Sequence, residues 1–190
     1  MHAGECERTR DHHSHVDQTT KIGDTTYDSL LALYQGFHRE PELSLHEVRT
    51  AGKLSDALED TGYTVTRSVG GNGVVAVMKN GQGPTVMVRC DLDALPIEEN
   101  TGLPYASTIT ATNDAGEEVH VMHASGHDIH MTVLAGVARV MARLRGQWNG
   151  TLMLVGQPAE EIGRGAQSML KERRSVHALP EARLCTCPAC

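Results

Sequence analysis

The chain has 190 residues, 39% of them hydrophobic and 22% charged, enough for one globular domain with a real core. A net charge of -7 and only 3% aromatic residues give no footing for a nucleic-acid partner, which needs a basic surface or stacking rings. No apolar run approaches the ~20 residues that span a bilayer. Met1 to Thr20 lack the apolar segment of a signal peptide, so a cytoplasmic protein without a membrane partner is expected.

Residues 1–24 are polar and lack periodicity, and read as a flexible leader. Within them, His12-His13-Ser14-His15 could bind metal weakly or belong to a disordered leader. From Tyr27 to Phe37, Leu30, Leu31, Leu33, Tyr34 and Phe37 recur at helical spacing, and Pro41 ends the helix. Ser44 stands three residues before Glu47, a capping-box pattern that opens a second helix through Thr61, closed by Gly62. Three strands follow, Tyr63 to Ser68, Val74 to Met78 and Thr85 to Cys90, and the glycine-rich breaks between them read as hairpin turns. Asp128 to Leu144 is an apolar helix, Thr151 to Val155 a strand, and Gly165 to Lys171 a further helix. This alternation implies an α/β fold, a mixed sheet flanked by helices. The residues able to carry chemistry fall in loops after strands or at helix starts, the edge where open α/β sheets form sites.

Three histidines, His123, His127 and His130, lie close together with Asp128, and Glu160 and Glu161 follow the apolar strand downstream. Imidazole and carboxylate are the usual protein ligands of divalent transition metals. A second carboxylate beside a ligand is what a metal hydrolase needs to take a proton from water. In a turn after a strand, adjacent glutamates can splay around one point, one binding metal and the other reaching the water. An isolated Glu-Glu pair would be a solvated acidic turn, but here the histidine cluster favours function. His127 and His130, three apart at a helix start, can share a face, while His123 precedes the helix. Asp91 and Asp93 flank Leu92, so both carboxylates could face one pocket, hold a metal, orient a ligating histidine, or simply form a turn. Of the five cysteines, Cys6, Cys90, Cys185, Cys187 and Cys190, the last three crowd the C-terminus. They fall short of the four ligands of a structural zinc site and read as an unstructured tail.

Four segments carry a resemblance. They are His38-Arg39-Glu40-Pro41-Glu42-Leu43-Ser44, Arg89-Cys90-Asp91-Leu92-Asp93-Ala94-Leu95-Pro96-Ile97, Met122 to His130, and Gln157 to Glu161 followed by Gly165-Ala166. Together they resemble the amidohydrolase branch of the M20 metallopeptidases, which includes hippurate hydrolases and auxin-conjugate hydrolases. The resemblance implies that residues 25–172 are the N-terminal part of a zinc-exopeptidase-like catalytic domain. It implies two divalent metal ions, manganese or zinc, bound through His127 and Glu161, with Glu160 acting as general base and then general acid. Asp93 stands where related peptidases keep an aspartate that orients a metal ligand. The implied substrate is a small N-acyl amino acid, cut at its amide. Ser125 occupies the position of a metal-binding cysteine. A serine hydroxyl is neutral near pH 7 and a much poorer donor than a thiolate, so reduced metal affinity is expected. A new serine nucleophile is not, since no G-x-S-x-G elbow surrounds it.

The resemblance also implies a longer parent, with an inserted lid or dimerisation domain and two further metal-binding histidines. A homodimer is expected only for that parent, and this truncated chain is expected to be inactive or impaired. Residues 173–190 depart in composition and read as a non-homologous tail. Leu179 to Cys190 can be back-translated into codons that, read one nucleotide later, give a family-like segment with the next expected histidine. A shifted reading frame is therefore the hypothesis, and the codons of the gene test it. Two rival readings stand beside the enzyme. One is a non-catalytic, ligand- or partner-binding pseudoenzyme fragment, which would hold no stoichiometric metal. The other is a metal-storage module built on the N-terminal histidines and C-terminal cysteines, which would lose binding when both tails are deleted.

Overall fold

The computed structural model describes residues 3–172 and 182–184. In chain order the elements are α1 (Ala3–Arg39), α2 (Val48–Glu59), β1 (Thr64–Val69), β2 (Gly73–Asn80), β3 (Thr85–Asp91), β4 (Thr110–Thr112), β5 (Glu118–His120), α3 (His127–Arg143), β6 (Gly150–Gln157), α4 (Gly165–Glu172) and β7 (Ala182–Leu184). The main sheet runs in the order β1-β2-β6-β3-β7, and β4 and β5 form a separate hairpin. β1, β2 and β6 pair antiparallel, whereas β3 runs parallel to both β6 and β7. The sheet is mixed, as expected. No helix among the described residues is long and apolar enough to cross a membrane.

The apolar alternation of the strands divides the core between two faces. Val74, Ala76 and Met78 of β2 join Leu152 and Leu154 of β6 against Leu54 and Leu58 of α2, Phe37 of α1 and Met131 and Leu134 of α3. On the other face Val75, Met153 and Val155 pack with Val69 and with Met169 of α4. A smaller cluster, Leu43, Ala94 and Val121, lies against the β4–β5 region.

Three expectations are corrected. The break at Gly81–Pro84 is not a hairpin turn: β6 lies between β2 and β3, with Ala76 opposite Leu154 on one side and Val88 opposite Leu154 on the other. The uninterrupted apolar run of β6 favours an interior position, where both faces are covered and both rows of backbone groups are paired. Thr151 N–H also donates to the carbonyl of Pro84 at 2.9 Å, tying that turn to the start of β6. Next, Ser44 does not cap α2. Its hydroxyl goes to Asp93, and the Glu42 carboxylate instead takes the backbone N–H (2.8 Å) and hydroxyl (2.9 Å) of Thr50 in the first helical turn. An ionised carboxylate suits the positive end of a helix better than a hydroxyl does. Lastly, residues 3–24, expected to be a flexible leader, continue α1. Helical hydrogen bonds are local and need no apolar stripe. Thr20 and Thr26 bond back to carbonyls at Val16 and Ile22, each at 2.9 Å, and Arg143 of α3 donates to Thr25 at 2.8 Å. The side chains of His12, His13, His15, Cys185, Cys187 and Cys190 lie outside the described residues, as does the expected tail at 173–190 apart from β7.

α4 begins at Gly165, where a Cβ would sit 1.5 Å from the carbonyl oxygen of Pro158. Only glycine lets the helix start this close to the end of β6. Gly165→Ala is expected to lower stability by about 1–3 kcal/mol or more, read as a drop in the urea midpoint. An unchanged midpoint would show that the helix start shifts freely.

Candidate metal centre

The C-terminal ends of the parallel strands β3 and β6 bring the chemistry-bearing residues together. Asp91 closes β3 and Asp93 follows two residues on, His127 opens α3, and the turn after β6 carries Glu160 and Glu161. Asp93 is fully buried. Its Oδ2 accepts the Ser44 hydroxyl at 2.6 Å and the Glu161 backbone N–H at 2.9 Å. Its carbonyl accepts His127 Nδ1–H at 2.8 Å, and its Oδ1 lies 3.5 Å from the same nitrogen, without a hydrogen-bond partner among the described residues. Burial alone would raise the Asp93 carboxyl, but the His127 imidazole beside it, the Ser44 hydroxyl and backbone N–H groups hold it below the usual carboxylate range. Burial likewise works against a charged His127. The carboxylate and carbonyl of Asp93, with Asp91 beyond, outweigh it and push that imidazole up to about 9.

A carbonyl can only accept, so His127 Nδ1 carries a proton, and Nε2 is left facing outward. Nε2 lies 3.9 Å from Glu160 Oε2 and 3.9 Å from Glu161 Oε1. That is too long for a direct hydrogen bond. It suits donors around an ion, since metal–ligand bonds of about 2.0–2.2 Å leave ligands roughly 3–4 Å apart. The donor atoms of His127, Glu160 and Glu161 all lie within 4.8 Å of one another, and so do those of Asp91, His127 and His130. His127 belongs to both sets, and the mix of imidazole and carboxylate fits a divalent metal ion.

Ala159 makes the glutamate pair converge. It is buried with φ of 49°, a left-handed conformation that costs a non-glycine residue about 1 kcal/mol or more. Its N–H donates to the buried Glu47 carboxylate at 2.8 Å, and its carbonyl accepts Arg164 N–H at 3.1 Å and Gly165 N–H at 3.2 Å. Held on both sides, the turn sends two neighbouring side chains toward His127, where an extended strand would send them to opposite faces.

Of the residues singled out in the sequence, the structure gathers Asp91, Asp93, His127, His130, Glu160 and Glu161. His123 joins neither donor set; both its ring nitrogens are without hydrogen-bond partners among the described residues, and burial pushes it down to about 4, so it is neutral. Ser125 sits exposed in the turn leading into α3. Asp128 serves elsewhere: its Oδ2 lies 2.7 Å from His38 Nδ1, and its Oδ1 accepts Ile129 N–H at 2.8 Å in the first turn of α3. His38 was not expected to have a role of its own. Its Nε2 lies 2.9 Å from Glu99 Oε1, so one buried imidazole bridges two buried carboxylates and links α1, the 97–107 segment and the start of α3. No spacing in the chain pairs positions 38, 99 and 128. The signal was limited to the place of His38 in one matching segment.

The model of peptidase family M20/M25/M40 matches residues 87–185. The chain is 37% identical over 144 residues to the N-acetylcysteine deacetylase of Bacillus subtilis, covering 75% of this chain and 36% of that protein. It is 40% identical over 136 residues to the hippurate hydrolase of Campylobacter jejuni, covering 71% and 33%. Among solved structures it resembles the YXEP protein of Bacillus subtilis, described as a dinuclear metal-binding peptidase from the M20 family. That likeness has a TM-score of 0.70 at 33% identity and covers 80% of this chain and 40% of that one. The chain thus spans about a third of the length of the curated relatives it matches.

The His38 bridge gives a pH signature. Burial disfavours its cation, but the hydrogen bonds to Glu99 and Asp128 outweigh burial and raise it above the usual 6.5. Its contribution to stability is complete below pH 6.5 and is lost as the pH climbs through the raised folded value. His38→Leu is expected to cost about 3 kcal/mol near pH 6, because two buried carboxylates lose their partner. Urea unfolding of both proteins should show that difference shrinking toward pH 9. A difference independent of pH would refute the charged bridge.

Proposed function

The chain belongs to peptidase family M20/M25/M40, and from that premise we propose that it is the N-terminal part of a metal-dependent amidohydrolase acting on N-acyl amino acids. The observation that carries the reading is the unbonded approach of His127 Nε2 to Glu160 and Glu161, each at 3.9 Å, with the other ring nitrogen tied to Asp93. The names of the deacetylase and hippurate hydrolase relatives both describe hydrolysis of an N-acyl amino acid.

In this reading His127 and Glu161 hold the metal, with Ser125 standing in the place of a cysteine ligand. Two divalent ions, manganese or zinc, supply Lewis acidity to the scissile carbonyl and acidify water when bound. Glu160 takes a proton as the water oxygen bonds to the carbonyl carbon. It returns that proton to the amine nitrogen as the carbon–nitrogen bond breaks, leaving a carboxylate and a free amino acid. Asp93 fixes the His127 ring so that Nε2 faces the cluster. Ser125 favours a second reading, a non-catalytic fragment, because a neutral hydroxyl replaces an anionic thiolate at the metal.

Calorimetric titration of the purified chain with manganese or zinc is expected to show binding that His127→Ala removes and that Ser125→Cys strengthens by about tenfold or more. Hydrolysis of N-acetyl and N-benzoyl amino acids by the chain alone should be near background. Glu160→Gln should keep metal affinity within about threefold while erasing any residual turnover. Failure to bind stoichiometric metal would favour the non-catalytic reading. Turnover undiminished in Glu160→Gln would end the proton-transfer assignment.

A further inference from the structure

At the far end of α3 from the metal centre, a pocket of about 430 Å³ opens where α1, α2 and α3 meet. Arg139 and Arg143 line it from α3, Asp60 and Thr61 from the end of α2, and Thr25 and Ser29 from α1. We infer that it is a second ligand site, for a free α-amino acid, with the α-carboxylate on the two guanidiniums and the α-ammonium on Asp60. The site goes beyond the hydrolase reading and does not depend on it.

Opposite charges share this lining without meeting. Among the described residues no ion pair joins either arginine to a carboxylate, or Asp60 to a cation. The reason lies on α1. Arg139 Nη1–H donates to Ser29 Oγ at 2.7 Å, and Arg143 Nη1–H donates to Thr25 Oγ1 at 2.8 Å. These hydroxyls turn their own hydrogens back into the helix, onto the carbonyls of Thr26 at 2.8 Å and Ile22 at 2.9 Å. Each is therefore an acceptor that holds its guanidinium back from Asp60. A guanidinium has five N–H donors and gives one to this bond, which leaves a preset fork for a carboxylate. The two arginines stand four apart on one helix, so their like charges repel, and a carboxylate between them relieves the repulsion. The dipole of α3 accounts for Arg143 in its last turn but not for Arg139, a turn earlier.

The ammonium has acceptors of its own. Asp60 caps the C-terminal end of α2, where the helix dipole favours a cation. Thr61 Oγ1–H goes to the Leu58 carbonyl at 2.8 Å, so that oxygen too can only accept. A plain anion is disfavoured by this half of the pocket and a plain cation by the other, whereas a zwitterion satisfies both. No large apolar side chain lines the pocket, so it reads the backbone charges of an amino acid rather than its side chain. His127 opens α3, and the arginines lie about 18–24 Å further along its axis at ~1.5 Å per residue, which separates this site from the metal centre. A free amino acid is also the class of product that the reaction proposed above releases.

The test is amide-shift mapping by NMR on the metal-free 190-residue chain at low salt, with glycine, N-acetylglycine and glycine methyl ester as probes. Glycine should move the amides of Ser29, Thr61 and Arg143 saturably, in the millimolar range that largely exposed charges allow. N-acetylglycine lacks the ammonium and the methyl ester lacks the carboxylate, and each should bind about tenfold more weakly or worse. Arg139→Gln and Asp60→Asn should each weaken glycine binding by about tenfold. If either variant does not fold, the shift map and the comparison of the three probes on the unsubstituted chain decide instead. Equal binding of glycine and N-acetylglycine would make this a plain anion site and overturn the inference. Shifts confined to other residues, or undiminished glycine binding by Asp60→Asn, would overturn it as well. A manganese titration of the same chain keeps the hydrolase reading apart: metal binding without glycine binding sinks this site alone, and glycine binding without metal binding sinks the hydrolase reading alone.

Discussion

Asp93 is a carboxylate cut off from water, and a charge in that position persists only when donors surround it. The donors come from separate parts of the chain. Ser44 precedes α2, His127 opens α3, and the Glu161 N–H belongs to the turn after β6. Satisfying this one buried charge therefore brings three otherwise independent segments to one point. The consequence is directional as well as cohesive. His127 spends Nδ1 on Asp93 and has only Nε2 to offer outward, and Glu161 is held by its own backbone rather than by its side chain.

The same logic extends outward through other buried carboxylates. Glu47 is fully buried and accepts the N–H groups of Leu45 and Ala159 and the side-chain amide of Asn72. It thereby holds the strained Ala159 turn from below. Glu99 and Asp128 share His38, and Asp128 secures the first turn of α3 directly after His127. Each is costly unless fully paired, and breaking one costs more than its net worth to stability. Such networks yield rigidity, and a metal site needs its donors fixed within a fraction of an ångström.

The elements were readable in the chain where packing repeats a local period. β2 and β6 alternate or run apolar because the sheet buries them, and α3 places Met131, Leu134 and Ala138 on one face because that face meets the core. Pairing order was not readable. That β6 inserts between β2 and β3 depends on contacts across most of the chain, and a glycine-rich break looks the same whether it turns a hairpin or skips a strand. At the site, His127, Glu160 and Glu161 stood out because ligating side chains crowd a strand end and a helix start. The residues that aim them did not. His38, Glu42, Glu47 and Ala159 look ordinary in the chain, and their roles come from donors that only tertiary structure supplies. The Ser44–Glu47 spacing misled for the same reason: two residues able to cap a helix found stronger demands elsewhere, at Asp93 and Ala159.

The two glutamates differ in a way that bears on their division of labour. The Glu160 side chain is 41% exposed and that of Glu161 18%. A ligand gains from being fixed before the ion arrives, since less freedom is lost on binding. Glu161 meets that condition, with its N–H anchored on Asp93 and its side chain half-enclosed beside Ile162. A group that takes a proton from water and later hands it to a departing amine must reach two positions in turn, and must meet solvent and substrate directly. Glu160 has that access, while its distance to His127 Nε2 matches that of its neighbour. Equal reach to the same imidazole with unequal freedom is the asymmetry expected of an acid–base residue beside a ligand. It comes from the Ala159 turn, which aims both side chains inward and leaves the second the less exposed, with its N–H 2.9 Å from Asp93.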